Sequence, residues 1–174
     1  MEYNGIFKIA AKENERYNMY VAYKKLIVSC LIVFIIIMLL LGLTYYAADG
    51  SLNSALLKSL PMALGGAVLL FLINVVIIKL KVRSFYKKNK ISVFTQDITL
   101  HNGGIHAKSE NGEVELTYKH IKNVVETRWD FFIFLTDLHA YVLPKNQMKD
   151  QADIALIRSI FRAHMDEKAL SFKS

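Results

Sequence analysis

The chain has 174 residues, a net charge of +7 and one cysteine, and 53% of its residues are hydrophobic. The positive charge is concentrated: six Lys and Arg residues lie between positions 79 and 90, whereas residues 91–174 hold ten basic and eleven acidic residues. A nucleic-acid-binding protein carries its basic surface on the folded domain, so this distribution argues against that class. The lone Cys30 excludes an internal disulfide framework.

Two long apolar runs dominate the first half of the chain. Residues 26–46 contain no charge, and at ~1.5 Å of rise per residue they exceed the roughly 30 Å hydrocarbon core of a bilayer. Residues 61–78 are also uncharged. The first run is too long for the apolar part of a cleaved signal peptide. The sequence therefore predicts an integral membrane protein with transmembrane helices at 26–46 and 60–80, joined by an extracytoplasmic loop at 47–59.

Basic residues beside the two runs predict their orientation. The loop at 47–59 holds only Lys58, whereas Lys and Arg cluster before the first run and after the second. The positive-inside rule then places both termini on the cytoplasmic side of the cell membrane. The cluster after the second run either contacts anionic lipid headgroups or simply sets the topology. Its members are Lys79, Lys81, Arg83, Lys87, Lys88 and Lys90.

Small residues around the second run predict close helix packing. Ser59, Ala63 and Ala67 recur every four residues, and Gly66 lies on a neighbouring ridge. Packing against the first run explains this stripe more simply than a homodimer seam. Asn74 is a polar amide deep in the run, for which an interhelical hydrogen bond is the simpler explanation and a role in transport the alternative.

After residue 90 the pattern changes to short alternating segments separated by turns. Strands are expected at 97–100, 105–109, 113–118, 121–128, 131–136 and 139–143, with Asn111-Gly112 as the clearest hairpin turn. Residues 150–165 have helical periodicity, with Asp150 or Gln151 near the cap. The segment 1–25 is expected to hold a short strand and an amphipathic helix, and whether this strand joins the C-terminal domain stays open.

The predicted fold class is α+β. A two-helix transmembrane hairpin precedes a small antiparallel β-barrel or sheet at 81–174, which the C-terminal helix caps.

These elements, together with one motif, resemble a known family. A polar–aromatic strand reaches Tyr118, two further apolar segments follow at 121–125 and 131–134, and a strand closes on the sequence Leu-Pro-Lys-Asn at 143–146. With the two preceding apolar runs, this pattern resembles the YcxB-like bacterial membrane proteins over essentially the whole chain. The resemblance implies a cytoplasmic domain similar to the pleckstrin-homology fold and no assigned activity. Pro144 is expected to end its strand, with Lys145 turning to solvent.

Patterns for ligands and catalysis are weak. Pleckstrin-homology folds bind phosphoinositides through basic residues of the first hairpin loop, but the loop at 102–104 has no Lys or Arg. His101 and His106 flank a Gly-Gly turn, yet two histidines without a third ligand do not predict a metal site. No nucleophile–base pair is visible, so we expect no enzymatic activity and no cofactor.

An aromatic group supplies the candidate interaction surface: Trp129, Phe132 and Phe134. Strand alternation sends Phe132 and Phe134 to the same side. Either that side is exposed to a partner, or the capping helix or the membrane-proximal segment covers it.

The sequence-based hypothesis is a non-enzymatic membrane protein that presents a cytoplasmic interaction module as an anchor or scaffold. Its expected partners are the bilayer and another protein, a homo-oligomer stays open, and nucleic acid is not expected. The alternative is a small accessory subunit of a membrane transporter or channel, in which Asn74 or the small-residue stripe would matter for flux.

Overall fold

A computed structural model describes residues 1–90, 92–109 and 112–172. The chain divides into two compact units. The globular unit consists of Met1–Tyr17 and Ser84–Ser174, and the helical hairpin consists of Asn18–Arg83. The N-terminal residues therefore fold together with the C-terminal part of the chain, although the hairpin separates them in sequence.

The hairpin contains most of two long helices, α1 (Ala11–Asp49) and α2 (Leu52–Lys88), whose outer ends belong to the globular unit. Both contain a stretch long and apolar enough to cross a membrane, and only 6% of the most apolar window of each is buried. The connection is short, with Gly50 at φ +64° between the helices. Much of the predicted loop at 47–59 is thus helical, because Leu52 to Ser59 continue the pattern of α2 and Pro61 lies inside that helix.

The first sheet has four antiparallel strands in chain order: β1 (Tyr3–Ile9), β2 (Phe94–His101), β3 (Gly104–Ser109) and β4 (Gly112–Leu116). β1 pairs with β2 over its full length, so the N-terminal strand does join the C-terminal domain. Gly104 has φ +154°, and a Cβ there would lie 2.0 Å from the Leu116 carbonyl oxygen, so only glycine fits. Asn111 of the predicted turn lies outside the described residues, but Ser109 and Gly112 on either side of it pair.

The second sheet has the strand order β7-β6-β5-β8. Its strands are β5 (Asn123–Glu126), β6 (Asp130–Phe134), β7 (Ala140–Pro144) and β8 (Leu170–Ser171). Helix α3 (Gln151–His164) begins at Asp150, whose side chain accepts hydrogen bonds from the N–H groups of Ala152 and Asp153. Its apolar face is buried through Ile154, Ile157, Ile160 and Phe161. The α+β class is therefore confirmed.

Of the two alternatives, barrel or sheet, the structure shows sheets, because the two do not close on each other through backbone pairing. Where β1 and β7 present their outer edges, side-chain amides take the place of a ladder. Gln147 bonds to both the N–H and the C=O of Lys8, at 2.7 Å each, and Gln96 donates to the Val142 carbonyl at 2.8 Å. The sheets are also not wholly antiparallel, since β8 runs parallel to β5.

Candidate functional site

The three residues of the predicted interaction surface differ in their exposure to solvent. Phe132 is 1% exposed and Phe134 is 5% exposed, whereas Trp129 is 54% exposed. The ring of Tyr17, near the start of α1, lies 5.8 Å from the Phe132 ring and 6.2 Å from the Phe134 ring. The membrane-proximal segment thus covers this side of β6, which was the second of the two alternatives. Of the three residues, Trp129 alone stays open to a partner.

A buried carboxylate at the start of β6 ties the sheet to α1. Asp130 is 1% exposed and accepts hydrogen bonds of 2.6 Å from both Nε and Nη2 of Arg16. Arg16 also contacts Glu13 at 3.3 Å, and Glu13 accepts a hydrogen bond from the Ala10 N–H. The hydrogen bonds with Asp130 raise the pKa of Arg16. This bidentate ion pair fixes the first turns of α1 against β6.

A second buried carboxylate, Glu126, lies at the end of β5. Arg158 of α3 donates to it through Nε at 2.7 Å and Nη2 at 2.6 Å, and Lys145 donates through Nζ. Burial alone would raise the pKa of Glu126, but the hydrogen bonds from Arg158 and Lys145 outweigh it and lower the pKa. The expected turn of Lys145 to solvent is therefore wrong. Its side chain is mostly buried, because Glu126 needs a cation inside the fold.

These two carboxylates hold the turn between β5 and β6 at both ends. Thr127 Oγ1 accepts hydrogen bonds from the N–H groups of Trp129 and Asp130. The Lys145 N–H donates to the Trp129 carbonyl at 2.9 Å, and Lys145 Nζ donates to the Thr127 carbonyl at 2.8 Å. At the tip, the Arg128 guanidinium lies 4.6 Å from the centre of the Trp129 ring. The turn thus presents an exposed cation–aromatic pair on a firmly held backbone.

The six residues of the predicted lipid-headgroup cluster are all exposed. Five of them lie in the last turns of α2, and Lys90 follows with φ +53°. They are Lys79, Lys81, Arg83, Lys87, Lys88 and Lys90.

The predicted packing stripe lies within the hairpin. Ser59 and Ala63 are fully buried, and Ala67 is half-buried. A Cβ on Gly66 would lie 2.9 Å from Cδ1 of Ile37 on α1, so the two helices approach closely there. Among the described residues, the partner of the Asn74 amide is the Leu70 carbonyl of its own helix, at 2.9 Å, and not the expected group on the other helix.

The two histidines beside the Gly-Gly turn lie near carboxylates of β4. His106 Nε2 is 2.5 Å from Glu113 Oε1, and His101 Nε2 is 4.0 Å from Glu115 Oε1. The hydrogen bond with His106 lowers the pKa of Glu113. Within the described residues, no cluster of three His, Cys, Asp or Glu side chains has a geometry that could hold a metal ion.

The ion-pair residues Arg16, Glu126, Asp130 and Arg158 were not identified from the sequence. One signal was available, since Glu126 and Asp130 border strands in which the neighbouring residues are strongly apolar. A charge in such a strand needs a partner, but the pattern does not say which residue supplies it.

Comparison with models of protein families gives a match to part of the chain. The family model for YcxB-like protein matches residues 100–161, from the end of β2 to α3. No curated protein and no solved structure gives a significant match to the chain. The matched residues contain the Arg128–Trp129 turn, Glu126 and its two cations, and the Leu-Pro-Lys-Asn motif. The resemblance noted in the sequence is therefore confirmed for residues 100–161, which match the YcxB-like family model.

Proposed function

We propose that this protein is a non-enzymatic membrane anchor or scaffold. The helical hairpin holds it in the cell membrane, while the globular unit, a pleckstrin-homology-like module, faces the cytoplasm and binds a protein partner. The observation that carries the proposal is the pairing of β1 with β2 across the hairpin, from Tyr3↔Leu100 to Ile9↔Phe94. Strands of one sheet lie on one side of a membrane, so the helices between them cross an even number of times. Two spanning helices meet that requirement.

The basic cluster supports the cytoplasmic orientation. Its six exposed cations follow the second apolar run and come directly before β2 in the chain. The connection at 47–59 between the two runs has Lys58 as its only basic residue. The positive-inside rule favours the cytoplasm for the richer side. Contact of these cations with anionic headgroups would add about 1 kcal/mol each.

The turn between β5 and β6 supports a binding role. Trp and Arg are enriched among residues that dominate the energy of protein interfaces. Arg128 and Trp129 are exposed at the turn, while Glu126 and Asp130 hold its two ends. Because these buried carboxylates are engaged with cations, they favour a structural role over acid–base catalysis. The hydrogen bond of Asn74 within its own helix gives no support to the transporter-subunit alternative.

The membrane part of the proposal is tested by reporter fusions at residue 1 and at Gly50. We expect the reporters on opposite sides of the membrane, with the chain resisting alkaline carbonate extraction. Reporters on the same side, or release by carbonate, would contradict the hairpin.

The binding part is tested by photo-crosslinking in intact membranes. A benzoylphenylalanine at position 128 is expected to capture a protein neighbour, and Trp129→Ala is expected to reduce that capture. Leu138, another exposed apolar residue of the globular unit at 57%, is the matched control position. Identical neighbours from positions 128 and 138, both insensitive to Trp129→Ala, would exclude the turn as the docking surface.

A further inference from the structure

The outer side of β4 is an open sheet edge. β4 pairs with β3 on one side, and no strand in the described part of the chain pairs with it on the other. Its residues 112–115 are exposed, and the apolar Val114 is 46% exposed. An edge of this kind presents backbone N–H and C=O groups that a further strand can use.

The outer edges of β1, β7 and β5 are each contacted by another part of the chain. The β1 edge is closed at Lys8 by the Gln147 amide, and the β7 edge is contacted at Val142 by Gln96. The β5 edge is covered by β8, which has only two residues. Proteins protect edges against unwanted pairing. Among the described strands, β4 differs in that no such contact to its outer backbone edge is seen.

The charge on β4 defines what would fit there. Glu113 and Glu115 lie on one face of the strand, with side chains that are 55% and 74% exposed. The basic side chains near them, His101, His106 and Lys108, belong to β2 and β3 and so lie on the inner side of the strand. The opposite face of β4 carries Val114. An added strand would therefore meet two carboxylates on one face and an exposed aliphatic side chain on the other.

We infer that β4 accepts an added strand from a partner protein in which Lys or Arg alternates with apolar residues. This inference rests on the proposed function and specifies its partner. Backbone hydrogen bonds to the edge would supply affinity, and the alternating side chains would supply selectivity. The cations would lie beside Glu113 and Glu115, and an apolar residue would cover Val114.

A second copy of the chain fits this edge poorly. If two β4 strands paired antiparallel about Val114, Glu113 of each would lie opposite Glu115 of the other, and like charges in that position are destabilising. The same carboxylates repel an anionic lipid surface. Charge complementarity thus selects a cationic extended segment.

The test uses the full chain in zwitterionic micelles and a fluorescent peptide that alternates lysine and valine. We expect the peptide to bind, with a change in anisotropy and slowed hydrogen exchange in residues 112–116. The double variant Glu113→Lys/Glu115→Lys should bind it at least about tenfold more weakly and should instead bind a peptide that alternates glutamate and valine. That exchange of preference shows that the variant is folded.

A lysine–valine peptide methylated on alternate backbone nitrogens separates strand addition from simple charge attraction. We expect it to bind at least about tenfold more weakly than the unmethylated peptide. Equal binding of the two peptides would overturn strand addition, and unchanged binding by the charge-reversed variant would overturn the assignment to β4. Neither of these outcomes changes the crosslinking result expected from position 128. Failure of the β4 inference can therefore be distinguished from failure of the proposed function.

Discussion

The globular unit buries leucine side chains in its core, whereas the helical hairpin exposes many of its own. In the globular unit, Leu100 and Leu143 are fully buried. In the hairpin, Leu39, Leu40 and Leu43 are 61%, 62% and 67% exposed. Apolar side chains are stabilised when they are removed from water, and in the globular unit other protein atoms cover them. Most of the apolar side chains of the hairpin are not buried by protein, a pattern expected of helices that contact the lipid of a bilayer.

Polar groups show the same contrast. In the globular unit they join segments far apart in the chain, as Arg16 joins Asp130 and Arg158 joins Glu126. In the hairpin, Asn74 bonds to Leu70 of its own helix, and Tyr45 on α1 donates to Met62 on α2 at 3.4 Å. The globular unit therefore uses buried ion pairs between segments far apart in the chain, whereas these hairpin hydrogen bonds join uncharged groups.

Arg16→Ala should have the largest effect on the globular unit. It leaves the buried Asp130 carboxylate without its bidentate partner, which typically costs about 3–5 kcal/mol. The measurement is hydrogen exchange of β5 and β6 in micelles, because exchange resolves these strands from the strong helical signal of the hairpin. Arg16→Lys keeps the positive charge and should lose less protection from hydrogen exchange than Arg16→Ala. Equal protection in all three proteins would show that the pair does not hold α1 against β6.

Truncating a leucine in each region tests the inward and outward arrangement directly. Leu143→Ala removes a fully buried side chain and should destabilise the globular unit by about 2–5 kcal/mol. Leu40→Ala removes a side chain that is 62% exposed, and it should leave the unfolding of the globular unit unchanged. Urea unfolding of both variants in the same micelles makes the comparison. Similar losses of stability would contradict the separation into two regions.

The local elements could be predicted from the sequence, because periodicity is a local property. The two apolar runs, the strands before and after Gly104 and the helix after Asp150 all follow from spacing and turn residues. Contacts between distant segments could not be predicted in the same way. Alternation alone shows that Phe132 and Phe134 share a side, but Tyr17, which covers them, lies far back in the chain.

The role of Lys145 shows a second limit. A lysine after a strand-ending proline is normally solvated, and the sequence gives no sign that Glu126 is buried beside it. Pairing of β1 with β2 was equally hidden, because the hairpin separates the two strands. Long-range partners depend on the assembled fold, whereas each strand and helix depends on its own residues.

Adjacent glycines in α2 test the helix contact of the hairpin. Gly66 faces Ile37 closely, whereas nothing lies within 4 Å of a Cβ placed on Gly65. Gly66→Leu should therefore force the helices apart at a cost of about 1–3 kcal/mol, and Gly65→Leu should not. The measurement is the SDS concentration at which the hairpin loses its contact, followed by energy transfer between labels on α1 and α2. Equal sensitivity of the two variants would place the contact on another face.

Mild acid should produce the smallest effect, through Glu126. Its pKa is lowered in the folded protein, so its stabilising contribution is complete above the unfolded value of about 4.3 and is lost as the pH falls through the folded pKa. Glu126→Gln should flatten this part of the acid dependence of unfolding, whereas Glu113→Gln should change it little, because Glu113 is exposed and screened by solvent. Unfolding midpoints measured from pH 6 downward would compare the three proteins. A steeper slope for Glu126→Gln would mean that burial outweighs the hydrogen bonds from Arg158 and Lys145 and raises the pKa of Glu126 in the folded protein, which would contradict the lowered pKa.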